Sequence, residues 1–408
     1  MADDCCSACD ELGAVSGIQG PAGPAGASGA TGPAGATGIS TLFLGVTNIF
    51  VSKAGNDATG TNSDLTKSFL TIGAAITKAS TLVPSSSNMI NIIVYPGEYT
   101  ESFSIPSFVT LTGAVDQALI YQGTDIGSMN TSTSVYKVYV NGTITIATSA
   151  VFVSIKNVSC VTLANNTTNV VFVNTMMATT SITSTVGSQG FYYDVHSPLF
   201  LSGVTYKGYF EKCTFGNYSL GGVQNGTAFA TLQSTFIDCY MDSYCLSSSQ
   251  NGAANTVAVG TIIRDVRCAN YCIASSQAST GSTCNANIYN LEVTGVGCVS
   301  HGTTGGSVST ITIKNSILKN TSGIFSGCLI DNCRISHSTA AAVALNLVGS
   351  TNKIRKCDIK GGAGGYSIAA AAPINGCITH TNLYGGGTNN ITNLVATPYN
   401  TDDINDIF

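Results

Sequence analysis

Asp194 and His196, two residues apart in the segment FYYDVHSP, form a local acid–base pair of the kind that moves protons. Glu211 is expected one coil away and would add a second carboxylate. Hydrolysis of a glycosidic bond needs two carboxylates, about 5–5.5 Å apart in a retaining enzyme and about 6.5–9.5 Å in an inverting one. Asp238 and Asp265 stand one repeat apart and could meet the shorter spacing. Elsewhere the same position holds Asn290, Asn315 and Asn332, so these two aspartates read as turn residues. Asp194, His196 and Glu211 are therefore the catalytic candidates. His301, His337 and His380 are isolated and read as surface residues.

A second chemistry lies at the N-terminus, where Cys5, Cys6 and Cys9 precede a glycine-rich tract. Their segment is too short to bury them. Their expected role is covalent, as disulfides between chains or to an anchoring protein once the environment is oxidising. The CC-x2-C spacing offers three thiolates and no nearby His, a poor set for zinc. No metal and no cofactor is expected.

The tract that follows reads as unbroken Gly-X-Y triplets, with glycine at Gly17, Gly20, Gly23, Gly26, Gly29, Gly32, Gly35 and Gly38. Only glycine fits at the axis of three polyproline-type chains wound together, so strict period three predicts a collagen-like triple helix over 17–40. A triple helix needs three chains, most simply a homotrimer. Proline occupies X and never Y, which resembles bacterial and viral collagen-like proteins more than animal collagen.

The composition narrows the rest. The chain has 408 residues, is 44% hydrophobic and carries a net charge of −5. Only 9% of residues are charged, against about 25% in an average globular domain. Gly, Ser, Thr and Asn take their place, which suits a regular β architecture with repeated turns. The basic residues read as scattered, so no nucleic-acid partner is expected. The acidic N-terminal segment does not read as a signal peptide, and no stretch is long and apolar enough to span a membrane as a helix. Collagen-like tracts usually work outside cells. Release with a virus particle, assembly onto a spore, or another export route would reconcile the two.

From about residue 150 a short pattern recurs, as in KNVSC, EKCTF, IDCYM, RDVRC, KNSIL, DNCRI, RKCDI and NGCIT. Taking the third residue as a mark gives Val158, Cys213, Cys239, Val266, Leu291, Ser316, Cys333, Cys357 and Cys377, mostly 20 to 27 residues apart. The interval from Val158 to Cys213 reads as two units. Self-similarity at this period signals a solenoid, and the alternating apolar and polar residues predict coils of short strands in a parallel β-helix. Asn, Asp and Gly hold most of the places before the marks, and they tolerate the left-handed backbone of a tight turn. Cys213, Cys239, Cys333, Cys357 and Cys377 are expected in one inward column, and Cys245, Cys272 and Cys298 in a second, as buried free thiols.

Residues 50–113 supply the start of the solenoid. Thr71, Ile72, Ala75, Ile76 and Ala79 set out a T-I-x-x-A-I-x-x-A helix, followed by Ile93, Tyr95 to Gly97, Tyr99 and Glu101, then Leu111 and Gly113. On these residues the chain resembles the pectate-lyase-like superfamily of right-handed parallel β-helices, many of whose viral tail-spike and surface proteins begin this way. The resemblance implies a helix that covers the open first coil. It spans roughly residues 50–395 and says little about activity, since the superfamily holds lyases, hydrolases and esterases. The polygalacturonase-like motifs and the R-x-P-x-x-R motif of pectate lyases are missing. Tyr192, Tyr193, Tyr206, Tyr209, Tyr218, Tyr240, Tyr244 and Tyr271 crowd the middle coils, where they suit β-sheet filling better than sugar stacking.

The expected organisation is a Cys-rich anchor over 1–16, a stalk over 17–40, an opening segment with a capping helix over 41–90, a parallel β-helix over 91–395 and a tail over 396–408. The expected function is structural, as a fibre, spike or capsid-decorating protein on a virion surface, attaching to an anchoring capsid or surface-layer protein and to host glycans. The chain is expected not to be an enzyme. The alternatives are a spore-surface collagen filament and a carbohydrate-active tail spike, either hydrolase or lyase.

Overall fold

Alternation of apolar and polar residues sends every second side chain inward, and the chain closes this pattern into stacked coils. In a computed structural model, the described residues lie between 46 and 392, apart from short segments between strands. Cys5, Cys6, Cys9 and the glycines from Gly17 to Gly38 lie outside them.

The strand Val46–Val51 pairs in parallel with Met89–Val94, which pairs with Val109–Gly113 and then Ser134–Tyr136. The same ladder continues through Val153–Asn165, Val170–Met177, Gln189–Ser197, Lys207–Glu211 and Thr235–Ile237. It runs on through Val257–Arg264, Cys284–Tyr289, Thr312–Lys314, Leu329–Asp331, Lys353–Arg355 and Cys377–Thr379. Every pairing in it is parallel. Beyond a tight turn a second ladder stacks Thr214–Phe215, Tyr240–Met241, Arg267–Cys268, Glu292–Val293, Ile317–Lys319, Arg334–Ser336, Asp358–Lys360 and Asn382–Tyr384. A third stacks Ser307–Ser309, Ile324–Ser326, Leu345–Leu347, Ile368–Ala370 and Ile391–Thr392. The architecture is a parallel β-helix.

The opening helix is Ile72–Thr81, inserted between the first two strands of the ladder. Thr71 caps it, its side chain accepting from the Ala74 amide at 3.2 Å. Ile72, Ala75 and Ala79 are fully buried, and Phe69 and Ile76 pack beside them. Glu101 accepts from the backbone amides of Ile72 at 2.7 Å and Gly73 at 2.8 Å. Its carboxylate thus satisfies two donors that a helix start leaves unpaired.

The turn between the first two ladders repeats one conformation. Lys137, Asn157, Asp194, Lys212, Asp238, Asp265, Asn290, Asn315, Asn332 and Lys356 all have φ between 51° and 58°. The residue after each points inward and is buried, as at Val138, Val158, Val195, Cys213, Cys239, Val266, Leu291, Ser316, Cys333 and Cys357. Two readings of the repeat need correction. Asp194 is itself a turn residue, and the coils before Cys213 are shorter than most of the later ones, so Val158 and Cys213 are separated by coils marked at Thr175 and Val195. Cys377 pairs with Lys353, and the buried residue in register with Cys357 is Thr381.

Among the described cysteines, from Cys160 to Cys357, none is in a disulfide and all are buried. Cys213 and Cys239 stack on consecutive coils, and so do Cys333 and Cys357. A hydrogen bond between the thiols, with burial added, pushes Cys213 and Cys333 upward, and the same bonds hold Cys239 and Cys357 down. Cys245 and Cys272 form the second column, where burial and then the Cys272 thiol push Cys245 up. Cys298 lies outside the described residues. Tyr192 is filling: it stacks on Phe210 at 4.6 Å, and Phe210 stacks on Phe236 at 4.9 Å, all three fully buried.

Candidate functional site

Because the residue after each turn position points inward, the turn residue and the residue two places on both face outward. Stacked along the axis they make the two walls of a groove. One wall carries Asp194, Lys212, Asp238, Asp265, Asn290, Asn315, Asn332 and Lys356. The other carries His196, Thr214, Tyr240, Arg267, Glu292, Ile317, Arg334 and Asp358. A part of about 580 Å³ is bounded by Lys212, Asp238, Tyr240, Asp265, Arg267, Asn290 and Glu292, with Cys213 and Cys239 also in its lining. About 270 Å³ opens at either end. One pocket lies against His196, Pro198, Tyr240 and Asp242, the other against Asn315, Asn332, Arg334 and Lys356.

The charged groups in the wide part are arranged by their partners. Asn290 donates to Asp265 at 2.7 Å, and Arg267 pairs with Glu292 at 2.9 Å. Lys212 donates to the Tyr193 hydroxyl at 3.0 Å, a bond that raises its pKa. Asp238 and Asp265 are exposed and hold equivalent positions on consecutive coils, at a strand separation of about 4.8 Å. Tyr240 is 39% exposed and presents ring surface at the junction of the wide part and the His196 pocket.

The structure brings Asp194 and His196 together, with Nε2 of His196 3.3 Å from Oδ1 of Asp194. It does not add Glu211 to them. Glu211 is in register with Tyr193 on the first ladder, on the other side of the turn from His196, and accepts from the Tyr209 hydroxyl at 2.9 Å. That bond raises the Tyr209 pKa. Asp238 and Asp265 are turn residues as expected, yet the turn also lines the groove. The sequence signal that could have found this groove was the i, i+2 pairing of polar residues around each buried mark. Among the described residues no cluster of His, Cys, Asp and Glu could hold a metal ion.

No protein family and no curated protein matches the sequence. Solved structures do. The chain is similar to the A-modules of two mannuronan C-5 epimerases of Azotobacter vinelandii. For AlgE6 the identity is 13% and the TM-score 0.30, over 80% of this chain and 94% of the module. For AlgE4 the identity is 14% and the TM-score 0.29, over 80% of this chain and 93% of the module. It is also similar to the pectin methylesterase of Aspergillus niger, at 14% identity and a TM-score of 0.14, over 87% of this chain and 93% of that one. These are parallel β-helix proteins. They are also carbohydrate-modifying enzymes, and this corrects the expectation that the chain is not an enzyme.

Proposed function

We propose that the chain is a carbohydrate-active surface protein of the tail-spike kind, with an extended polysaccharide lying along the groove from His196 to Glu292. The observation that carries this reading is the pair Asp238 and Asp265, two exposed carboxylates on consecutive coils within one groove. Two carboxylates about 5–5.5 Å apart are what retaining glycoside hydrolysis requires, and a coil rise of about 4.8 Å sets the backbones of neighbouring turn residues close to that spacing. Asp265, oriented by Asn290, is the nucleophile in this reading, and Asp238 is the acid that protonates the leaving oxygen. Tyr240 offers a stacking face for a sugar ring.

The sequence supports the setting. The Gly-X-Y tract calls for a homotrimer, and the tail-spike resemblance calls for a virion surface with host glycan as substrate. Cys5, Cys6 and Cys9 would tie the chains to one another or to an anchoring capsid protein.

The test is incubation of the full-length chain with a panel of host polysaccharides. New reducing ends are expected, and Asp238→Asn or Asp265→Asn should lower their rate by about 10²–10⁴-fold while the β circular dichroism is kept. Unsaturated products in place of simple reducing ends would overturn the hydrolytic roles. No product from any polysaccharide would overturn the reading.

A further inference from the structure

We infer that the outward face of the first ladder around Phe191 and Tyr209 is where three copies of this chain pack on one another. The inference rests on the homotrimer proposed above and is independent of the catalytic roles of Asp238 and Asp265. The Gly-X-Y tract ends at Ser40 and the first strand begins at Val46, so each chain of a triple helix would carry its β-helix on a tether of residues 41–45. A tether this short holds the three copies at a mutual concentration in about the millimolar range. Eight triplets with no proline at Y are a weak clamp alone, so the β-helices need a contact of their own.

Parallel copies set a condition on that contact. About a three-fold axis along the coils, each residue meets its own copies at one height, so any charge there would face two like charges. One outward column of the first ladder meets the condition. It runs from Asn48 through Asn91, Ser134, Phe191 and Ile262 to Leu329 without an acidic or basic residue, and Lys353 is the first it reaches. The outward column two places on fails it, with charges at Lys156, Glu211, Arg264, Lys314, Asp331 and Arg355.

The middle of the uncharged column is also apolar. Val171 is 37% exposed and Phe191 39%, and the two are in register with each other and with Tyr209. The Phe191 and Tyr209 rings stack at 5.0 Å, which orders both before any partner arrives. Exposed aromatic side chains held on rigid strands are the usual filling of an interface core. Beside the rings, Gly190, Lys207, Gly208, Tyr209, Gln233 and Thr235 bound a hollow of about 350 Å³. Its two glycines bring no side chain, so a ring from the adjacent copy, arriving at the same height, has room to enter. Lys207 is the one charged residue in that lining. The nearest charges of the next column are engaged within the chain. Glu211 accepts from the Tyr209 hydroxyl at 2.9 Å, and Arg264 lies over the Tyr289 ring at 5.8 Å.

The test uses the full-length chain under a reducing agent, which opens any link through Cys5, Cys6 and Cys9. Gly26→Val, which disrupts the stalk, should still scatter light as three chains at micromolar concentration. Adding Phe191→Ser with Tyr209→Ser should raise the concentration at which the trimer dissociates by about a hundredfold, with the β circular dichroism kept. Adding Val83→Ser, an exposed apolar residue outside the ladder, should leave it unchanged. A second measurement removes no packing and so decides the case if the serine variant misfolds. With Cys5, Cys6 and Cys9 replaced by Ser, Val171→Cys should form an interchain disulfide under oxidised glutathione, and Val83→Cys should not. Single chains from Gly26→Val alone, a trimer indifferent to the two serines, or no link through Val171→Cys would each overturn this face and leave the homotrimer standing. A single-chain mass for the unaltered protein would overturn both.

Discussion

The side-chain amide of Asn290 donates to the carboxylate of Asp265 at 2.7 Å, from one coil to its neighbour. Asn332 does the same to Asn315 at 2.9 Å. The turn positions are therefore coupled along the axis as well as fixed in φ, and the groove wall is built from that coupling. Asn290 has φ 53°, in the left-handed region that costs other residues about 1–2 kcal/mol. Asn290→Ala should destabilise the fold by about that amount, and Asn290→Gly, free of the backbone cost, by less. Thermal unfolding of the two variants checks this. Equal losses would show that the hydrogen bond dominates the backbone.

How far the site was legible follows from the same ladder. The buried marks Cys213, Cys239, Cys333 and Cys357 are readable because one residue type recurs one coil apart within each pair. Thr175 and Val195 were not, because their coils are shorter and their side chains differ from the cysteines. Asp194 stands out in the sequence for its neighbour His196, and no local signal marks it as a member of the turn column aligned with Lys212. Cys377 matches the column by residue identity alone, and register assigns that place to Thr381. The groove itself is a product of stacking. Asp238 and Arg267 share no local motif, and only the register of successive coils brings them to one wall and its opposite.

The second prediction concerns the opening helix. Glu101 lies well beyond the helix in sequence, yet its two oxygens hold the amides of Ile72 and Gly73. This gives a physical reason for the acid in the P-G-x-Y-x-E stretch. Glu101→Gln keeps an acceptor but loses the charge facing the helix start, and should cost about 1–2 kcal/mol. Glu101→Ala leaves both donors unpaired and should cost more. Urea unfolding of the two variants measures the order, and a reversed order would remove the capping role.

The third concerns alkaline pH. Cys160 is fully buried, and burial pushes its thiol up from 9.0 to about 12. The unfolded chain therefore loses this proton first as pH rises. The stability this group contributes is complete below pH 9.0 and is lost as pH climbs toward about 12. Melting temperature should fall across that window, and Cys160→Ala should fall less steeply. Parallel curves for the two proteins would show that other groups govern the alkaline limb. In the native state at neutral pH the described thiols should resist alkylation.

The fourth concerns the assembly that the Gly-X-Y tract calls for. Eight unbroken triplets from Gly17 ask for three chains, and they hold no proline at Y. A stalk this short and unhydroxylated is marginal alone. The full-length chain should nevertheless scatter light as three times its 41.7 kDa mass. Gly26→Val places a side chain at the crowded axis in all three chains at once. It should lower the melting temperature of the stalk and expose it to protease while the β circular dichroism of the body is kept. Cys5, Cys6 and Cys9 should link the chains in non-reducing electrophoresis, and replacing all three by Ser should release single chains. A single-chain mass for the unaltered protein at micromolar concentration would remove the trimer. It would leave the groove intact, since Asp238, Asp265, Arg334 and Lys356 all come from one chain.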